Sequence, residues 1–324
     1  MEIYRVSRKS RALGTGIPRC VSGTGAHSLN VVRGCLMACA YCSYRALPSS
    51  PADDELYIYQ DIAEQLREEL DRMDRSGHRP PLILLNTGSD CFMGLAEVDR
   101  IATDCIALLL KRRIPVQITT KGAIPRDLVA LLARHADLVQ VQTSVPAVSE
   151  AFYARFEPNA PGLDSRLAML RALAGAGLDV RVRIEPLIPT ENDSEHELEE
   201  VLRAVYRVGV RRVSAAYLQM SLGVEKRLRA RIGPMRTNLI GQWYRREVPS
   251  AHPIREDARE QAAILPPRAH RLDAYRILWT LARNLGMGMS ICGCRNPDIG
   301  GGACYRVPAG TPGVHAPKKQ LELL

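Results

Sequence analysis

The stretch "NVVRGCLMACAYCSYR", residues 30–45, places Cys35, Cys39 and Cys42 within eight residues. It opens as a short β-branched run and turns into a loop, with Gly34 free to make a tight bend just ahead of the first thiol. Thiolates spaced C-x3-C-x2-C can ligate three irons of a single four-iron cluster, leaving the fourth iron open to a substrate or cofactor. A cluster held by four cysteines is saturated and only passes electrons. Zinc at this loop would need a fourth nearby ligand, and none of the next residues is His or Cys.

Downstream, short apolar runs alternate with amphipathic stretches. "ELYIYQDIAEQLREELDRMDRSG" puts Ile58, Ile62, Leu66, Leu70 and Met73 at helical spacing, with Gly77 as the stop. "PLILLNTGSD", "PVQITTKG", "LVQVQTSV", "DVRVRIEPLIP" and "RVSAAYLQM" read as buried strands, each followed by a helical pattern. Their apolar character on both faces suits a parallel sheet covered by helices. Six βα units result, fitting a partial or full βα barrel with its reactive face at the carboxyl ends of the strands. A doubly wound open sheet fits the same periodicity.

The composition narrows the class. No run approaches the roughly 18 apolar residues of a membrane span, and the N-terminus lacks a signal-peptide pattern. A cytoplasmic protein is therefore expected, where thiols serve as metal ligands or reactive groups more often than as disulfides. The formal charge of +9 favours anionic partners. Aromatic residues make up only 5%, so stacking platforms for a long single strand are sparse and nucleic acid is disfavoured.

The cysteine loop, with Tyr41 just before the last thiol, resembles the signature of the radical S-adenosylmethionine (radical SAM) superfamily. "SLNVVRGCLMACAYCSYR", "ITTKG", "FEPNAP" and "RLAMLRALAGAGLDVRVRIEPLIPTEND" are similar to its spore photoproduct lyase-like branch over about residues 27 to 220. The fold so implied is α/β: a partial (β/α)6 radical SAM barrel with a short irregular C-terminal metal-binding extension. Its segments would be residues 1–28, an N-terminal segment; 29–247, the barrel core; 248–286, a connection and helix; and 287–324, a Cys/Gly-rich tail. The resemblance implies a 4Fe-4S cluster with an open iron on Cys35, Cys39 and Cys42, and S-adenosyl-L-methionine (SAM) bound to that iron. Tyr41 would face the adenine, Ser89 and Asp90 the methionine amine, and Lys121 the SAM carboxylate. Thr143 and Ser144 would lie near the ribose, and Arg183 and Glu185 would reach the cofactor if the strand register is right. A flavodoxin- or ferredoxin-like reductant is implied as partner.

The chain departs from that branch in two places. The cysteine that spore photoproduct lyases carry on the second strand aligns with Thr87. Cys91, four residues on, is the catalytic candidate in its stead, with a small buried thiol as the alternative. Cys105 reads as core, and Cys20 has no assignment. The second departure is "CGCRNPDIGGGAC", with Cys292, Cys294 and Cys304 beyond the barrel. It reads as a second metal site: an auxiliary 4Fe-4S cluster that relays electrons, contacts substrate or donates sulfur, or else zinc completed by His315. The basic stretch holding Lys226, Arg227, Arg229, Arg231, Arg236, Arg245 and Arg246 reads mainly as a solvated helix face, with a subset available for phosphates. Trp243 or Tyr244 is placed to stack on a base.

The expected function is hydrogen abstraction from a small anionic nucleotide- or nucleoside-like biosynthetic substrate by a 5′-deoxyadenosyl radical. The alternative is DNA-lesion repair of the spore photoproduct lyase kind.

Overall fold

In the computed structural model, the described residues are 1–8, 11–18, 21–244, 252–256, 259–299 and 301–302, with backbone only for 252–256 and 259–262. The chain begins with β1 (Glu2–Val6), β2 (His27–Leu29), β3 (Val32–Arg33) and β4 (Glu55–Tyr59). Alternation follows through α1 (Ile62–Arg75), β5 (Ile83–Leu85), α2 (Ala96–Lys111), β6 (Val116–Thr119) and α3 (Arg126–Ala133). It continues through β7 (Val139–Ser144), α4 (Glu150–Phe156), α5 (Leu163–Gly175), β8 (Asp179–Leu187), α6 (Glu195–Arg207) and β9 (Arg212–Tyr217). Two helices, α7 (Leu222–Ile232) and α8 (Pro234–Tyr244), precede a hairpin of β10 (His252–Glu256) and β11 (Arg259–Ala263). The described part closes with α9 (Arg268–Asn284) and β12 (Gly288–Ile291).

Seven of these strands form one parallel sheet in the order β12-β9-β8-β7-β6-β5-β2, an open arc rather than a closed barrel. The resemblance implied about six strands. The seventh comes from the tail: "GMSI" lies parallel to β9 with Met289 opposite Val213. One outermost strand, β2, thus lies across the N-terminal boundary of the expected core, and the other, β12, comes from the tail beyond it. The start of the tail, expected to be irregular, continues a βα unit because α9 packs against the sheet and returns the chain in register.

The strands alternate more cleanly than their composition suggested. On β7, Val139 and Val141 belong to the apolar core, while Gln140, Gln142 and Ser144 occupy the opposite face. Register lines up Gln117 with Gln140 and Asp179, then Thr119 with Gln142 and Arg181, then Ser144 with Arg183 and Ser214. The inner face of the arc is therefore polar although both faces are buried. Helices cover the outer face. On α6, Leu198, Val201, Leu202 and Val205 are buried at i, i+3, i+4 and i+7, and the Ser194 hydroxyl caps the helix by accepting the Glu197 N–H. Each such leucine or valine, fully buried, contributes about 1.5–3 kcal/mol.

A second sheet, β1-β4-β3, flanks the cysteine loop. Ile58 lies on β4 rather than on the helix expected for it, since Leu56 and Ile58 are buried while Tyr57 and Tyr59 are less so, a period of two. The helix starts at Ile62 and ends before Gly77, whose φ is +70°. Among the described residues no helix is long and apolar enough to cross a membrane.

Candidate active site

The cysteine loop leaves β3 through Gly34, whose φ is +101°. A methyl group added at Gly34 would lie 2.7 Å from the Glu55 carbonyl oxygen, so only glycine fits without displacement. The loop is clamped at nearly every turn. Arg45, almost wholly buried, donates from Nη2 to the Cys35 carbonyl at 2.8 Å, and Arg227 on α7 donates to the Cys39 carbonyl at 2.9 Å. From the other side, the Ala40 N–H bonds to the Phe156 carbonyl at 2.8 Å, and Asn159 donates to the Leu36 carbonyl at 3.1 Å. Ala38 sits in left-handed backbone at φ +52°, a conformation that these contacts over-determine.

All three thiols face one cavity of about 270 Å³ at the carboxyl ends of the strands. Burial pushes the Cys35 thiol up to about 11, with the nearby Asp90 adding to it. Burial likewise pushes Cys39 up to about 12, against the pull of Lys121. A cationic group bound here would replace those protons. Among the described residues no three His, Cys, Asp or Glu side chains converge as on a single ion. Three preformed thiols around one cavity, Cys39 buried and Cys35 and Cys42 half-buried, fit a cubane, whose ligands stand further apart. On donor chemistry and loop geometry the residues fit the iron–sulfur group.

The expected cofactor residues separate into those in the cavity wall and those outside it. Tyr41, Ser89, Asp90, Lys121, Ser144, Arg183 and Glu185 all line the cavity. Asp90 has inward neighbours of its own: the Thr120 hydroxyl donates to its two oxygens at 2.8 and 3.0 Å, and the Lys121 N–H donates at 2.8 Å. It braces the loop after β6. Burial raises its carboxyl, opposed by these bonds. That loop is tight: a methyl on Gly122 would lie 1.5 Å from the Phe92 carbonyl oxygen. Ser89 donates to the Val32 carbonyl at 3.0 Å, tying the loop after β5 to β3, just ahead of the cysteine loop. Ser144 donates to the Glu185 carbonyl, and Arg183 pairs with Glu185 at 2.5 Å.

Two candidates fall outside the cavity. Thr143 is fully buried on the helix side of β7, because its neighbour Ser144 takes the inward position. Cys91 does not line the cavity either. It is wholly buried in the apolar core, along with Cys105, and burial raises its thiol far above the ordinary range. The turn after Asp90 sends the Cys91 side chain toward α2. This geometry does not support a catalytic role for it. Thr87 does line the cavity and accepts from Asn30 at 3.0 Å.

Glu157, in "FEPNAP", has no role assigned from the sequence, yet it joins the site together. Fully buried, it accepts from Tyr41 and from Arg166, and lies 3.8 Å from Lys121 Nζ. Lys121 Nζ in turn stands 5.2 Å above the Tyr41 ring and 3.8 Å from Cys39 Sγ. A carboxylate directly after an aromatic helix end is the signal that could have found it. Asn86 is the other omission: its buried Nδ2 has no hydrogen-bond partner among the described residues, and it lines the cavity in left-handed backbone at φ +64°.

The basic stretch is largely internal wiring. Arg227 and Arg231 both bind Asp53, Arg236 binds Glu191, and Arg229 reaches Glu225 and Asn238. Tyr244 is buried and donates to the Leu218 carbonyl at 2.9 Å, and Trp243 packs against the His270 ring, centroids 4.3 Å apart with the planes tilted by 32°. Neither ring is presented for a base. Arg245 and Arg246 lie outside the described residues. Burial opposes ionisation of Asp53, but hydrogen bonds from Arg231 and Arg227 outweigh it and hold the carboxyl below the usual range. With solvent screening at this partly exposed position, Asp53→Asn is expected to cost about 1 kcal/mol at neutral pH. Because the folded-state value is the lower one, that stability is complete above about pH 4 and is lost as pH falls through the folded value. Urea denaturation of wild type and variant should diverge at pH 7 and converge in acid; equal stability at both would refute it.

In the tail, Cys292 and Cys294 lie with sulfurs 3.0 Å apart. Cys304 and His315 lie outside the described residues.

Comparison with known proteins adds to this picture. The family model described as the Radical SAM superfamily matches residues 29–205. An uncharacterized protein of Mycobacterium tuberculosis is 28% identical over 213 residues, 63% of this chain and 62% of that one. The chain thus spans less than two thirds of that relative's length. An uncharacterized protein of Acidianus two-tailed virus is 22% identical over 244 residues, covering 68% of this chain and 80% of the viral one. Among solved structures, a mutant spore photoproduct lyase superposes with a TM-score of 0.68 at 14% identity, over 89% of this chain and 81% of that chain. A spore photoproduct lyase complexed with dinucleoside spore photoproduct gives 0.63 at 16% identity, with the same coverage. These likenesses are of fold.

Proposed function

From the premise that the chain belongs to the radical SAM superfamily, we propose that it cleaves SAM reductively and abstracts hydrogen from a small anionic substrate of nucleotide or nucleoside type. The observation that carries this reading is the facing of Cys35, Cys39 and Cys42 onto one cavity at the carboxyl ends of parallel strands. When bound there, a 4Fe-4S cluster with an open iron supplies the electron that splits SAM into methionine and a 5′-deoxyadenosyl radical.

The chain's own residues orient and enclose. Lys121 is held between Cys39, Tyr41 and Glu157, where it offers its ammonium to a carboxylate such as that of SAM. Asn86 Nδ2 is a donor to the same ligand, and Glu185 Oε1, buried with no hydrogen-bond partner among the described residues, is an acceptor for an amine or hydroxyl. Tyr41, pinned by Glu157, presents a fixed ring for the adenine. The apolar parts of the cavity wall, Met37 and Leu218 among them, exclude water from a reactive radical.

The tail is proposed to hold an auxiliary cluster on Cys292, Cys294 and Cys304 that contacts substrate or supplies sulfur. Its supporting observation is that Arg295, next to Cys294, lines the cavity. The segments 1–28, 29–247, 248–286 and 287–324 are retained as a functional division, with the radical chemistry in the second. A flavodoxin- or ferredoxin-like reductant is the proposed electron donor.

Anaerobic reconstitution followed by an iron count and a 5′-deoxyadenosine assay with dithionite tests the reading. About eight irons are expected with both clusters and about four with one. Retention of all iron in a Cys292→Ala, Cys294→Ala double variant would remove the auxiliary site. No SAM cleavage by iron-loaded wild type would remove the main proposal.

A further inference from the structure

We propose that Arg295 is the anchor for an anionic group of the substrate, a phosphate or carboxylate held against the wall formed by β8, β9 and the tail. The inference rests on the small-substrate reading above and locates its charge recognition. The arginines of α7 and α8 cannot serve, since Arg227, Arg231 and Arg236 are committed to Asp53 and Glu191.

Arg295 differs from them in place and in company. It lines the same cavity as the thiols, on residues that follow β12. Its Nη1 donates to Gln219 Oε1 at 2.7 Å, the one hydrogen bond its guanidinium makes among the described residues. Glu185, a carboxylate of the same wall that acts electrostatically on Arg295, is already paired with Arg183 at 2.5 Å. Arg183 and Arg295 both face Glu185, and the sulfurs of Cys292 and Cys294 also stand near the Arg295 guanidinium. A guanidinium with free N–H groups facing a half-buried cavity is suited to bidentate capture of a planar or tetrahedral oxyanion.

The loop that carries Arg295 is built to hold it still. Arg271, fully buried on α9, donates to Asn296 Oδ1 at 2.9 Å and pairs with Asp298. Tyr275 donates to the same Asn296 oxygen at 2.9 Å, and Asn296 donates back to the Cys292 carbonyl at 3.0 Å. Asn296 itself is fully buried. The ordering cost of the anchor is met on folding rather than on binding.

The test is calorimetric titration of the reconstituted protein, in saturating SAM, with inorganic phosphate in one arm and malonate in the other. Saturable binding of either anion is expected, identifying which source is preferred. Arg295→Gln should weaken that binding at least tenfold, Arg295→Lys less, and the exposed-face control Arg229→Gln not at all. Iron content and SAM affinity are read in the same samples, with circular dichroism to verify folding. Unchanged anion binding in Arg295→Gln overturns the assignment, as does a wild type that binds neither anion. Loss of SAM affinity in Arg295→Gln, with the fold intact, also overturns it by giving the guanidinium to the cofactor. Loss of iron instead would make Arg295 a partner of the tail thiols and equally overturn it. A protein that binds anions through Arg295 but never cleaves SAM would sink the functional reading and spare the anchor.

Discussion

Cys39→Ala, reconstituted without oxygen, is expected to form no 5′-deoxyadenosine above background and to lose the iron of the N-terminal site while keeping its fold. The fold should survive because the loop is held by its backbone: the Cys39 carbonyl by Arg227, and the Ala40 N–H by the Phe156 carbonyl. Removing one buried sulfur atom should cost only about 1 kcal/mol. The chemical loss should be complete, since with two thiolates left the loop has no means to hold a cubane with a single open iron. Thermal melting, iron analysis and the nucleoside assay together decide it. A variant that retains both iron and SAM cleavage would remove Cys39 from the site.

Glu157→Ala is expected to destabilise the protein by about 3–5 kcal/mol and to weaken SAM binding by an order of magnitude or more. The stability loss comes from Arg166, whose side chain is fully buried and would keep its charge without its carboxylate partner. Its remaining bonds, to the carbonyls of Pro161 and Ser144 at 2.8 and 2.7 Å, cannot neutralise it. Weaker SAM binding would follow from release of Tyr41 and Lys121, both positioned by the same carboxylate. Glu157→Gln separates the two effects: it preserves shape and an acceptor, so it should fold better than the alanine variant yet still bind SAM less tightly. Denaturant melts and calorimetric SAM titration provide the two readouts. A Glu157→Ala protein as stable as wild type would show that Arg166 finds water or another partner.

Much of the molecule is legible in its sequence. Thiol spacing is local, so Cys35, Cys39 and Cys42 can be grouped by reading eight consecutive residues. Strand and helix order follows from apolar runs, whose period is also local. What stays hidden depends on geometry across the chain. Ile58 fits a helical count as well as a strand count, and only the pairing of β4 with β1 decides between them. Thr143 and Ser144 are adjacent and both polar, and one residue of strand parity separates core from cavity. Cys91 lies one residue past the cavity-lining Asp90, yet the turn directs it to the opposite side. The arginines of α7 and α8 read mainly as a solvated face, with a subset available for phosphates, because their partners Asp53 and Glu191 are distant in sequence. The roles of Glu157 toward Tyr41 and of Arg295 toward Gln219 stay hidden for the same reason, since those partners lie 116 and 76 residues away, even where a local signal marks Glu157 itself.

The pairing of β12 with β9 has a consequence for handling the protein. Were the chain cut before Gly288, the backbone donors and acceptors along Arg212–Ala215 that now meet Gly288–Ile291 would lie bare on an apolar strand. Such a rim is a template for intermolecular strand addition. A truncated form designed to discard the tail thiols should therefore precipitate or self-associate, whereas point replacement of those cysteines leaves the rim covered.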